Sequence, residues 1–328
     1  MGVGKAVVGG AVVVAAGVAA YFAFMANREV YIPIVSKGSQ HQFWQAVKAG
    51  AEQAAKDFDV KITFEGPENE TMVDKQIEML KNALAKKPAA LALAALDSKA
   101  ATPLLVDAHY KKLPVIAFDS GVDSVIPRTT ATTDNVAAAG LAADKMAELI
   151  GKAGEVAVVV HDDHSRTDID RRDGFVKRMK GYRDIKIVSV QYGGGDKAKS
   201  GEITKAILEQ YPEIKGIFGA NEGSAIGVLN AMKEMQKKIV IIGYDSGKEQ
   251  KAAVASGEMA GAISQNPVGM GYKTVEAAVK AAHDDFGGIN VLVNNAGILF
   301  EQSTIENLSA ERINRVLATN VTGYFLCC

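Results

Sequence analysis

Residues 239–267 read IVIIGYDSGKEQKAAVASGEMAGAISQNP. An apolar run at 239–242 ends in Gly-Tyr-Asp-Ser-Gly, a short helical stretch covers 248–254, and a second apolar run at 261–264 ends in Gln-Asn-Pro. Short apolar runs bounded by turn residues and separated by a helix read as parallel strands covered on both faces. Each of these strands delivers a polar residue, Asp245 or Gln265, just past its carboxyl end. In open α/β sheets that edge is where ligands bind. The layout also occurs upstream: PVIAFDS at 114–120 presents Asp119 and Ser120, and GIFGAN at 216–221 presents Asn221.

Outward from this stretch the chain alternates strand and helix. Residues 30–36 form an apolar strand, and Phe43, Val47, Gly50, Ala51, Ala54 and Phe58 then recur at helical spacing. Strands at 60–64, 90–96 and 115–118 alternate with helices at 72–85 and 103–110. TTATTDN at 129–135 carries no helical period and reads as an extended crossover. The alternation restarts with strands at 156–160, 185–190, 217–219, 239–243 and 260–264, and a last helix covers 267–282. Two such groups predict an α/β protein of two Rossmann-like lobes with parallel sheets and a cleft between them.

Composition narrows the function. A chain of 328 residues with 48% hydrophobic content can build two cores. A net charge of −1 and 6% aromatics offer no basic surface, so nucleic acid is excluded as a partner. Cys327 and Cys328, adjacent at the end, provide neither a disulfide framework nor a cysteine metal site. Residues 6–25 carry no charge, with Lys5 before them and Arg28 after. Residues 1–28 are read as a membrane anchor or a cleaved signal segment, with Val18-Ala19-Ala20 as a cleavage site, or else as a buried helix. No cysteine follows the run, so a lipoprotein anchor is not available. Either of the first two readings exports the globular part to a periplasmic or extracytoplasmic location.

The order and spacing of motifs resemble the ribose/galactose type of periplasmic sugar-binding protein, the solute receptors of ABC transporters. The resemblance covers about residues 30–282. It is carried by Val35-Ser36 before Phe43-Trp44, Phe118-Asp119-Ser120, Thr133-Asp134-Asn135, Arg171-Arg172-Asp173-Gly174-Phe175, Phe218-Gly219-Ala220-Asn221, Gly243-Tyr244-Asp245 and Ile263-Ser264-Gln265. It implies a lobe of 29–132 plus 266–282, a second lobe of 133–265, and three crossings acting as a hinge. It also implies a monosaccharide ligand, an ABC transporter permease as partner, no cofactor and no catalysis.

The side chains suit that ligand. Carboxylates such as Asp119 and Asp245 accept hydroxyl hydrogens, Asn221 and Gln265 donate and accept at once, and Arg171 offers a planar fork. Phe43 and Trp44 can cover the C–H faces of a sugar. Each has a plainer reading: the aspartates as helix caps, the aromatics as core, Arg171 as a solvated charge. His161-Asp162-Asp163-His164 has the spacing of a metal pair but is read as a cleft loop in which His164 meets the ligand, with His41 doing so from the other lobe. Where the family places an aromatic in the second lobe, this chain has Gly193-Gly194-Gly195.

From His283 the pattern changes. Phe286-Gly287, Val291-Leu292-Val293-Asn294-Asn295-Ala296-Gly297 and Asn320-Val321-Thr322-Gly323 resemble short-chain dehydrogenases/reductases. The family's catalytic Tyr-x-x-x-Lys pair and its glycine-rich cofactor turn have no counterpart, so 283–328 reads as a truncated fragment. Its run at 289–294, INVLVN, is expected to join or lie against the lobe sheets. A membrane-anchored reductase and a repressor-like sugar sensor are the competing functions; the first lacks its active site and the second lacks a helix-turn-helix before the first lobe.

Overall fold

The apolar run of 240–244 becomes a strand with neighbours on both sides, as burial of both its faces requires. The computed structural model describes residues 30–282 and 297–299. One sheet contains β1 (Tyr31–Val35), β2 (Lys61–Glu65), β3 (Leu91–Leu93), β4 (Val115–Phe118) and β5 (Thr129–Ala131), all parallel, in the order β2-β1-β3-β4-β5. The other contains β6 (Gly154–Val160), β7 (Ile185–Tyr192), β8 (Gly216–Gly219), β9 (Val240–Tyr244) and β10 (Gly261–Ser264), joined at its edge by β11 (Gly297–Leu299). Its order is β11-β10-β9-β8-β6-β7. Counted within each lobe, the parallel strands follow the same order, second-first-third-fourth-fifth, a doubly wound arrangement.

Helices α1 (Gln42–Asp57), α2 (Val73–Ala85) and α3 (Thr102–Tyr110) connect the strands of the first lobe. After β5 the chain crosses over, and α4 (Asn135–Leu149) packs Ala138, Ala142 and Met146 on Val156, Val158 and Phe218 of the second sheet. There α5 (Arg166–Met179), α6 (Lys197–Gln210), α7 (Glu222–Glu234) and α8 (Lys248–Ala255) complete the lobe, with Phe175 stacked on Phe218 at 4.6 Å. After β10 the chain returns, and α9 (Pro267–Ala282) buries Met270 and Val275 against Trp44, Val47 and Phe118. Helices α1 and α9 touch through backbone: a Cβ on Gly271 would stand 1.9 Å from the Val47 oxygen.

One expectation changes. Residues 129–131 are not crossover but the edge strand β5, paired with β4; the crossover is the short link that ends at Asp134, which caps α4 by accepting from Ala137 N at 2.9 Å. Among the described residues the tail contributes Gly297–Leu299, antiparallel to β10, with Ser264 opposite Gly297. The run at 289–294, the segment 1–28 and the third crossing after 282 lie outside the described residues. Among the described residues no helix is long and apolar enough to cross a membrane.

Candidate functional site

Both sheets point their carboxyl ends at one cavity between the lobes. It is lined by Lys37, His41, Phe43, Trp44, Glu70, Asp119, His161, Thr167, Arg171, Asn221, Asp245 and Gln265. Asp119 follows β4 and Asp245 follows β9, and both have left-handed backbone, φ +52° and +78°. Their N–H groups donate to the next strand, Asp119 to Ala131 O at 2.8 Å and Asp245 to Ile263 O at 2.7 Å. Asp245 also accepts from Glu222 N at 3.0 Å and from Gln265 Nε2 at 2.5 Å. Gln265 in turn accepts from Thr133 Oγ1 at 2.7 Å, so the two crossings between lobes are bonded to each other and to the site. Burial pushes the Asp119 carboxyl up, against the pull of Lys37 and Arg171.

Arg171 is buried, not solvated. Its Nε donates to Asn135 Oδ1 at 2.7 Å and its Nη1 to Ala220 O at 2.9 Å, while the guanidinium carbon stands 3.8 Å from the centre of the Tyr244 ring. Tyr244 Oη donates to the same Asn135 oxygen at 2.8 Å. The helix-cap reading belongs to Asn221, which accepts from Ser224 N at 2.8 Å and leaves its buried Nδ2 without a partner in the cavity wall.

The opposite wall is built from the first lobe. Trp44 lies edge-on to Phe43 at 5.0 Å and donates its Nε1–H to Glu70 Oε1 at 2.8 Å. His41 Nδ1 stands 3.4 Å from the same oxygen, and its Nε2 is 3.0 Å from Gly195 O of the second lobe. Lys37 reaches across the cleft: its Nζ donates to Ser165 Oγ at 3.2 Å and Thr167 Oγ1 at 3.3 Å, with Glu70 and Asp162 each 4.0 Å away. Burial alone would raise the Glu70 carboxyl, but the charges of Lys37 and His41 hold it well below the usual carboxylate range. Burial likewise opposes charge on His41, yet the Glu70 carboxylate, helped by Glu222 and Asp245, raises its pKa to about 9.

A periplasmic binding protein domain model matches residues 32–285. The chain belongs to the periplasmic binding protein family. The D-allose-binding periplasmic protein of Escherichia coli is 26% identical over 258 residues, covering 76% of this chain and 83% of that protein. The crystal structure of a carbohydrate transporter solute binding protein from Agrobacterium radiobacter, in complex with D-arabinose, superposes with a TM-score of 0.79 at 33% identity, covering 88% of this chain and 99% of that one. A separate local match, 74% identical over 46 residues, is to the uncharacterized oxidoreductase YgfF of Escherichia coli and covers 14% of this chain and 18% of that one.

In this periplasmic binding protein, eight of the residues singled out by sequence line the one cavity: His41, Phe43, Trp44, Asp119, Arg171, Asn221, Asp245 and Gln265. Two do not. Ser120 is fully buried beside the cavity, and its Oγ accepts from Thr167 N at 3.4 Å. His164 turns outward, with Nδ1 3.0 Å from Asp163 and a 38% exposed side chain; its backbone takes part instead, the carbonyl accepting from Ser98 N and the N–H donating to Asp162 Oδ1 at 2.9 Å. His161 and His164 therefore point apart, His161 Nδ1 lying 2.9 Å from Asp168. Among the described residues no group of three or more His, Cys, Asp or Glu is arranged to hold a metal ion.

Sequence reasoning missed Lys37, Glu70 and Thr167, and in the cleft loop at 161–164 it chose His164 where His161 lines the cavity. The signal for two of them was present: Lys37 stands just past β1 and Glu70 in the loop after β2, the same carboxyl edge that gave Asp119 and Asp245. The glycine run also has a local cause. Gly195 has φ +69°, and a Cβ there would stand 3.1 Å from Asn221 Nδ2 and 3.2 Å from Glu70 Oε2. His41 Cε1 would lie 3.5 Å from the same Cβ, so a side chain at Gly195 would press on three cavity residues.

The raised pKa of His41 sets a pH dependence. Because the folded value, about 9, exceeds the ordinary 6.5, its contribution is complete below about 6.5 and is lost as pH rises through about 9. The stability difference between wild type and His41→Gln is expected to shrink between about pH 7 and about pH 10. Urea unfolding at both values checks this; a constant difference would show that His41 is neutral throughout.

Proposed function

We propose that this chain is an exported solute receptor that closes on a neutral monosaccharide and hands it to the permease of an ABC transporter. The observation that carries the reading is the convergence of Asp119, Arg171, Asn221, Asp245 and Gln265 on one cavity between two lobes. Their hydroxyl-matching chemistry agrees with relatives described as binding D-allose and D-arabinose. Charge narrows the class. Lys37, His41 and Arg171 face Glu70, Asp119 and Asp245, so the lining is balanced and favours an uncharged polyol over a sugar acid or phosphate.

In this reading the lobes are 29–132 with 266–282, and 133–265. Residues 1–28 serve as anchor or signal, placing the receptor outside the cytoplasmic membrane. Residues 283–328 are a fused dehydrogenase fragment; they number 46, the length of the local match to the oxidoreductase. A thermal-shift screen over neutral pentoses and hexoses, with galacturonate and NADPH as controls, tests the whole reading. A ligand at 100 times its Kd stabilises by about 2.7 kcal/mol, which displaces the melting temperature clearly. Stabilisation by NADPH or galacturonate and by no neutral sugar would overturn it.

A further inference from the structure

The two lobes meet at two helix ends whose cap residues make no side-chain capping bond. At the N-terminus of α1 the cap position is His41, whose side chain makes no capping bond because it is turned to Glu70 and Gly195. The first N–H groups of a helix have no partner within it and need one from outside. Here the partner comes from the other lobe. Glu222, buried at the start of α7, accepts from Gln42 N through Oε1 and from Phe43 N through Oε2, both at 3.2 Å. The exchange is reciprocal. The cap position of α8 is Gly247, which has no side chain, and Lys248 N donates to Gln42 Oε1 at 2.7 Å across the cleft. Gly247 allows the approach: a Cβ there would stand 3.3 Å from Glu222 Cδ and 3.4 Å from Gln42 Oε1.

We infer that Glu222 and Gln42 are closure residues, each capping a helix of the opposite lobe only when the lobes are shut. Glu222 is absent from the cavity that brings Asp119, Arg171 and Asn221 together and lines an adjoining pocket with Phe43, Asp245 and Gln265; it accepts the Phe43 N–H, and Phe43 lines both. A carboxylate at a helix N-terminus is favoured by the aligned peptide dipoles, and here it is shielded from water. On opening, both helix ends and the carboxylate return to solvent, so the bonds favour the closed state and leave each lobe's own packing untouched. The ligand's apparent affinity then scales with the closed fraction that these caps set.

The inference rests on the sugar-receptor reading, and the experiment separates the two. Glu222→Ala is expected to weaken binding of the sugar found in the screen by about tenfold, mainly through faster dissociation, as loss of charge-assisted bonds implies. Gln42→Ala is expected to weaken it less, its bond being exposed. The urea midpoint of the sugar-free variants should stay close to wild type. Small-angle scattering should show a larger radius of gyration for Glu222→Ala than for wild type at the same sub-saturating sugar, and equal radii at saturation. Unchanged affinity with unchanged scattering would overturn the capping inference and leave the sugar reading intact. If wild type binds no sugar, the receptor reading fails, and sugar-free scattering decides the caps alone: equal radii overturn them, a larger radius for Glu222→Ala supports them.

Discussion

Arg171→Ala is expected to destabilise the protein by about 3–5 kcal/mol, the cost of removing one partner from a buried charge cluster. The guanidinium is 3% exposed and bonds Asn135 and the Ala220 carbonyl while stacking on Tyr244. The charges of Asp245, Asp119 and Asp168 all act on it. Alanine would leave these carboxylates buried without their counter-charge. Lysine restores the charge but not the planar fork or the stacking, so Arg171→Lys should recover only part of the loss. Sugar affinity should fall as well, by about 1.5–3 kcal/mol if the fork contacts ligand. Urea unfolding and isothermal titration read the two effects separately. A stability loss under about 1 kcal/mol would show that the aspartates are neutralised by other groups.

Trp44→Ala is expected to have an effect of similar size, about 3–5 kcal/mol. The indole is 2% exposed and lies edge-on to both Phe43 and Phe118, with centroids at 5.0 and 6.3 Å. Its loss opens a cavity and also removes the Nε1–H that Glu70 accepts at 2.8 Å. Trp44→Phe keeps most of the packing and removes the donor, so it should cost clearly less. The unfolding must be followed by circular dichroism, because Trp44 is the only tryptophan of the chain. If alanine and phenylalanine cost the same, the hydrogen bond to Glu70 rather than the packing holds this wall.

The alternation of strands and helices was legible because buried parallel strands must be apolar runs and their covering helices must repeat at 3.6 residues. The run at 240–244 and the helix Val73–Ala85 are the clearest cases. The strand at Thr129–Ala131 was not legible: three residues show no period, and only its pairing with β4 makes it a strand. The site divided in the same way. Asp119, Asn221 and Asp245 announce themselves by directly following apolar runs. Glu70 sits several residues past β2, and only the fold brings it to Trp44, His41 and Lys37. Ser120 and His164 are the two named residues that fall outside the cavity lining. Ser120 directly follows Asp119 but its Oγ meets Thr167 N, and His164, three residues from both His161 and Thr167, sets its ring beside Asp163.

Asp119 and Asp245 are the same device used twice. Each follows the fourth strand of its lobe, each is bent into left-handed backbone, each is followed by serine, and each ties its N–H to the fifth strand. A duplicated half-molecule facing its own copy would look like this. Such pseudo-twofold symmetry makes recognition divisible. A ligand lying between the halves would meet one aspartate from each side, and its two ends would be read by equivalent but separately mutable loops. One half can drift towards a new stereochemistry while the other goes on holding the old one, and a receptor built this way can change its preferred sugar without rebuilding its cleft.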